Sequence, residues 1–194
     1  EHITIHPYAK LDNSLPLSQM EARRRLIGNL RKFGVKARLW NGENYYVLTD
    51  WMPATDYAGR TWPESIARHL IVDMGEGCSG STPTHFQTLC SSRGKPYFCR
   101  SNSISTHEYP DSRFAAHSAA AYFLSGAEPV ANYDLPAGAL AYTFRRGGTL
   151  YSAVWNSRSA VPTQLVPPKA DCTFYDLMSN PLPKPLGKML PLGL

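Results

Sequence analysis

No apolar run in this chain approaches the ~20 residues that a membrane-spanning helix needs, so no transmembrane helix is expected. The sequence has no signal peptide, no initiator methionine and no Asn-x-Ser/Thr sequon. It opens inside a strand-like pattern, Glu1-His2-Ile3-Thr4-Ile5, and stops at Leu190-Pro191-Leu192-Gly193-Leu194 without a closing helix. Both ends read as cuts, and the chain is expected to be a piece of a longer protein. Cysteine is scarce: Cys78, Cys90, Cys99 and Cys172 show no C-x-x-C spacing, which excludes a zinc ribbon or a dithiol redox pair of the usual form. Charge of one sign is also scarce. The net charge is +5, and basic residues cluster only at Arg23-Arg24-Arg25 and Arg31-Lys32, a pattern typical of a solvated helix face. Nucleic acid is therefore not an expected partner. There is no internal repeat.

What is present is a globular composition, 43% hydrophobic over 194 residues, enough for one large or two small domains with real cores. Sixteen prolines and fourteen glycines, mostly in the second half, mark turns. Ser18-Gln19-Met20-Glu21 reads as a capping box opening a helix through Met20, Ile27, Leu30 and Phe33, with Gly34 as its C-terminal stop. Val35 to Trp40 read as a strand. Thr61-Trp62-Pro63-Glu64 opens a second helix that Gly75 and Gly77 end. Thr84 to Leu89 form another strand candidate, and a third helix runs from Asp111 or Ser112 to Gly126. The order strand–helix–strand–helix–strand–helix is that of a parallel α/β sheet or barrel.

After Gly126 the pattern changes. Ala139 to Phe144 and Thr149 to Trp155 flank Arg145-Arg146-Gly147-Gly148, a hairpin signal. A Pro-rich connection over Val161 to Pro168, the turn Ser179-Asn180-Pro181 and a strand near Lys188 to Leu192 complete an antiparallel β region. The boundary falls near Ala127, giving units 1–126 and 127–194. Cys90 and Cys99 bracket a turn, and a disulfide between them is plausible in an oxidising compartment. The alternative is four unpaired thiols in a cytosolic protein.

Two strand-like runs deliver polar and aromatic groups at their C-terminal ends: Ile3-Thr4-Ile5-His6-Pro7-Tyr8 and Leu39-Trp40-Asn41-Gly42-Glu43-Asn44-Tyr45-Tyr46. In a parallel βαβ unit the two ends lie at one edge of the sheet, where active sites of α/β barrels sit. They are therefore expected to share a pocket containing Glu43.

These segments resemble the C-terminal part of a clan A glycoside hydrolase, a retaining (β/α)8 barrel followed by a small β-sandwich. His6-Pro7-Tyr8 resembles the H-x-Y ending the sixth barrel strand. Leu39-Trp40-Asn41-Gly42-Glu43 resembles the W-x-x-E ending the seventh. Phe174-Tyr175-Asp176-Leu177-Met178-Ser179-Asn180-Pro181 resembles the D-x-x-G-N-P turn of the sandwich, with Ser179 where Gly is usual. The resemblance implies the C-terminal portion of a barrel over 1–126, a β-sandwich over 127–194, and Glu43 as the nucleophile of a double displacement.

Such a reaction needs a second, protonated carboxyl roughly 5–5.5 Å away. Asp50, Asp73, Glu76 and Glu108 lack a supporting context, so the acid/base is expected outside this sequence. Tyr8 would donate to the Glu43 carboxylate and His6 would contact a sugar hydroxyl. Trp40 and Tyr46 would stack on apolar sugar faces, and Gln87, with His85, would reach the pocket from the last barrel strand. No metal or cofactor is implied. The implied partners are an oligo- or polysaccharide and the remainder of the barrel, on the same or another chain. The implied location is secreted, periplasmic or cell-surface. The rival expectation is a non-catalytic carbohydrate-binding or structural module of a larger assembly.

Overall fold

The computed structural model describes residues 1–6, 9–10, 17–44, 46–47, 61–83, 112–134, 139–156, 163–165, 172–183 and 190–192. The first half alternates short strands and helices: β1 (His2–Ile5), β2 (Ala9–Lys10), α1 (Leu17–Lys32), β3 (Arg38–Asn44), β4 (Tyr46–Val47), α2 (Thr61–Gly75), β5 (Cys78–Pro83) and α3 (Ser112–Leu124). Strands β1, β3 and β5 form a parallel sheet in that order, with the register Ile5↔Asn41 and Asn41↔Ser81. Beyond it β2 pairs in parallel with β4, Ala9 opposite Tyr46.

The second half is antiparallel. β6 (Glu128–Asp134), β7 (Ala139–Arg146) and β8 (Thr149–Asn156) form a three-stranded sheet, the last two joined at Gly147-Gly148. β9 (Thr163–Leu165) pairs with β12 (Leu190–Leu192), and β10 (Phe174–Tyr175) with β11 (Pro181–Leu182). Mixed α/β structure followed by antiparallel β is thus what the chain forms. The described strands close no barrel.

Two expectations need correction, and a third falls outside the described residues. The strand predicted over Val35 to Trp40 begins only at Arg38. Gly34, at φ 67°, donates to the Arg31 carbonyl and Val35 to that of Leu30, so Val35 closes the helix in a Schellman motif. The third parallel strand is Cys78–Pro83, whose small polar residues carry no apolar alternation; Thr84 to Leu89 lie outside the described residues. The Arg23–Arg25 run is not a solvated face. Arg23 is buried and Arg24 binds Glu76, whereas Phe33, expected in the core, is exposed.

One hydrophobic cluster joins Met20 of α1, Ala67, Leu70 and Val72 of α2, and Ala116, Ala120 and Leu124 of α3 to Leu140, Tyr142, Phe144 and Trp155 of the antiparallel sheet. The alanines let α2 and α3 approach closely, and the aromatic side chains of β7 and β8 fill the space above them. At this seam Tyr142 stacks on Trp155, with centroids 5.6 Å apart and planes 11° off parallel. Glu76, just past α2, gathers Arg24 Nε at 2.9 Å, Tyr142 Oη at 2.7 Å and Asn132 Nδ2 at 3.3 Å. Helices and antiparallel sheet are therefore coupled both by apolar burial and by a nearly buried carboxylate.

Candidate active site

The two faces of the β1–β3–β5 sheet differ. Leu39, Asn41 and Cys78 are buried on the face covered by α2. The other face carries exposed His2, Thr4, His6, Trp40 and Thr82. Strand alternation produces this split, since residues two apart share a face. Trp40 lies flat across β5, its Nε1 donating to Thr82 Oγ1 at 3.0 Å and its edge meeting His2 at a centroid distance of 6.4 Å. A methyl group on Gly80 would sit 2.6 Å from Trp40 Cη2, so only glycine permits that approach. A methyl on Gly42 would strike the Thr4 side chain and lie 3.3 Å from His6 Nε2. His6 therefore packs against the backbone one position before Glu43.

Of the residues singled out in the sequence, His6 directly follows β1, while Trp40 and Glu43 belong to β3. Tyr46 belongs to β4. Tyr8, His85 and Gln87 lie outside the described residues, as do Cys90 and Cys99. The pairs Ile5↔Asn41 and Ala9↔Tyr46 place Glu43 on β3 between two stretches of parallel pairing. Among the described residues no group of His, Cys, Asp and Glu is arranged to hold a metal ion.

Sequence reasoning missed the buried cluster beneath this edge. Asp73 of α2, wholly buried, binds Arg23 of α1 and accepts hydrogen bonds on Oδ2 from Asn41 Nδ2 (2.7 Å) and Ser81 Oγ (2.6 Å). Burial pushes its carboxyl above the usual range, against the pull of Arg23, Ser81 and Asn41. Next to it the Cys78 thiol is pushed up to about 11 by desolvation first and by the Asp73 charge second. The spacing Asp73-x-x-Glu76 places the two carboxylates on adjoining faces at the end of α2, one engaged by Arg23 and the other by Arg24. Consecutive arginines on α1 matched to carboxylates three apart on α2 were the available signal. Both acids are thus committed to ion pairs on the helix side of the sheet.

No family model matches the sequence, and no curated protein is similar to it in sequence. Its fold is that of part of a glycoside hydrolase. One solved structure of similar fold is a family 39 glycoside hydrolase from the gut symbiont Bacteroides cellulosilyticus WH2, with a TM-score of 0.70 at 13% identity. The match covers 98% of this chain and 42% of that one, so this chain spans less than half the length of the enzyme it is similar to.

Proposed function

We propose that this chain is the C-terminal portion of a retaining glycoside hydrolase, with residues 1–126 contributing to a (β/α)8 barrel and residues 127–194 forming a β-sandwich. The observation that carries this reading is the parallel sheet itself. It sets the ends of β1 and β3 side by side, so that His6 packs on the backbone leading into Glu43. The fold likeness to a family 39 glycoside hydrolase supports it. In this reading Glu43 attacks the anomeric carbon with inversion while the glycosidic bond breaks and the acid/base protonates the departing oxygen; water, deprotonated by the same group, then displaces Glu43 from the glycosyl ester with a second inversion, giving net retention. Tyr8 steadies the carboxylate by a charge-assisted hydrogen bond, His6 contacts substrate, and Trp40, Tyr46 and Gln87 line the sugar site. The acid/base carboxyl comes from strands outside this chain, which also cover the open sheet face. A polysaccharide or oligosaccharide is the substrate, and the cell exterior or periplasm is its location.

The test is Glu43→Gln in the whole protein, assayed on aryl glycosides. Turnover is expected to vanish while the far-ultraviolet circular dichroism stays that of the parent, and undiminished hydrolysis refutes the role. A second reading, a carbohydrate-binding module without catalysis, is favoured by exposed rings on α3 and β10. Tyr122 is 65% and Tyr175 47% exposed, both against Phe123. A 2-deoxy-2-fluoro glycoside separates the two, since only the enzyme becomes covalently labelled at Glu43.

A further inference from the structure

A strand that alternated strictly would align Glu43 with Leu39 and Asn41, on the face that α2 buries. The pairing of β3 with β5 breaks that alternation. From Asn41↔Ser81 to Asn44↔Pro83 the chain advances three residues on β3 against two on β5. One residue is therefore extra at Gly42-Glu43, a bulge of the kind that re-aims a side chain near active sites. An opposite irregularity precedes it, where Leu39↔Cys78 gives way to Trp40↔Gly80 and the extra residue is Ser79 on β5. The Ser79 hydroxyl donates to the Leu39 carbonyl at 2.9 Å.

The small residues of β5 give its register few apolar anchors besides Gly80 under Trp40, and on the buried face none but Cys78. On the buried face polar contacts can set where the second irregularity falls. Asn41 and Ser81 are direct cross-strand partners, and both donate to the same oxygen of Asp73, at 2.7 and 2.6 Å. Arg23 holds the carboxylate from α1. A slip by one residue would remove one donor and leave a buried carboxylate short of partners, which is strongly unfavourable.

We propose that Asp73, with Asn41 and Ser81, is a register lock that fixes the bulge at Gly42-Glu43 and thereby aims the Glu43 carboxylate; Asn41 and Ser81 are positioning residues. This rests on Glu43 being the nucleophile. The lock also accounts for a buried ion pair where an apolar contact would serve stability as well, since such pairs can confer a unique arrangement rather than strength.

The test uses the whole protein with a panel of 2,4-dinitrophenyl glycosides, whose leaving group departs without protonation, so that single-turnover dinitrophenolate release reports attack by Glu43. Ser81→Ala is expected to slow that step about 10²-fold, the loss that an ångström of misplacement brings, with KM and circular dichroism unchanged. Ser81→Thr, which keeps the donor, is expected to restore it. Asn41→Ala should resemble Ser81→Ala, and if it fails to fold Ser81→Ala alone decides, because Arg23 and Asn41 still hold Asp73 there. Release at the parent rate in Ser81→Ala, with only the melting temperature lowered, overturns the lock. Glu43→Gln separates the two failures. If it reacts like the parent, the nucleophile assignment falls and the lock with it. If it is inert while Ser81→Ala is fully active, the lock alone falls.

Discussion

Tyr142→Phe removes one oxygen from the seam between helices and antiparallel sheet and leaves the packing in place. The hydroxyl donates to Glu76 Oε1 at 2.7 Å, with Tyr142 1% and Glu76 7% exposed. A hydrogen bond to a charged group contributes about 1.5–3 kcal/mol. Glu76 keeps Arg24 on both oxygens and Asn132 at 3.3 Å, so no acceptor is orphaned. The ring keeps its stack on Trp155, so no cavity opens. The lower half of the range applies, about 1.5–2 kcal/mol. For a chain of this length that is a fall in Tm of about 3–8 °C. Urea unfolding followed by tryptophan fluorescence, which Trp155 reports beside the mutation, and by far-ultraviolet circular dichroism gives the free energy. Because one core joins the helices to β7 and β8, both signals are expected to move together. A change below about 0.5 kcal/mol, within what an ordinary surface substitution produces, refutes the assignment of this bond. Two separate transitions, of which only one shifts, refute the shared core.

Ser179 has φ 67° and a buried hydroxyl with no hydrogen-bond partner, at the turn where Asp176 binds the amides of Met178 and Asn180. Ser179→Gly should stabilise the protein by about 0.5–1 kcal/mol in denaturant unfolding, since glycine visits this region without the penalty that L side chains meet; a loss of stability refutes it. Gly80→Ala drives the Trp40 ring off β5 and breaks its bond to Thr82. The near-ultraviolet dichroism should change, with a loss of about 1–3 kcal/mol, and an unaltered spectrum counts against the stacking. His69 is wholly buried, and desolvation first, then Arg23, lower its pKa from 6.5 to about 3. Between those values the unfolded chain binds the extra proton, so stability falls as pH drops through the window, by at most about 1.4 kcal/mol per pH unit. His69→Gln should flatten that slope relative to the parent, and parallel profiles for the two proteins refute the assignment.

Elements with a local cause were legible. Gly34 and Gly126 stop their helices with positive φ, and the hairpin turns at Gly147-Gly148, as the residue types require. β6 went unread because Glu128-Pro129-Val130-Ala131-Asn132-Tyr133-Asp134 lacks alternation, and Pro129 is tolerated there on a sheet edge. β5 also went unread, for a related reason. Its residues are small because Trp40 occupies the space above them, a fact about β3 that the β5 sequence cannot carry. The likeness to part of a glycoside hydrolase was legible from motif order, each motif being short and set at a strand end or turn. The Asp73 cluster was not, because paired arginines and acids hint only at its ion pair, while Asn41 and Ser81 come from two further elements that no spacing links to it.

That cluster also clarifies which carboxylates are free for chemistry. Asp73 and Glu76 sit near β3 and β5, but each is enclosed by an arginine and hydroxyl or amide donors on the helix side of the sheet. Under the proposed function neither is therefore available as the second carboxyl. Parallel sheets are covered on both faces in known folds, yet this one leaves Trp40 39% exposed along with His2, Thr4, His6 and Thr82. In the proposed barrel this face points inward, where further strands would cover it, and the sugar site lies at the strand ends. Under the proposed function the proton donor would then come from outside these two helix-side acids, at the strand ends where Glu43 lies.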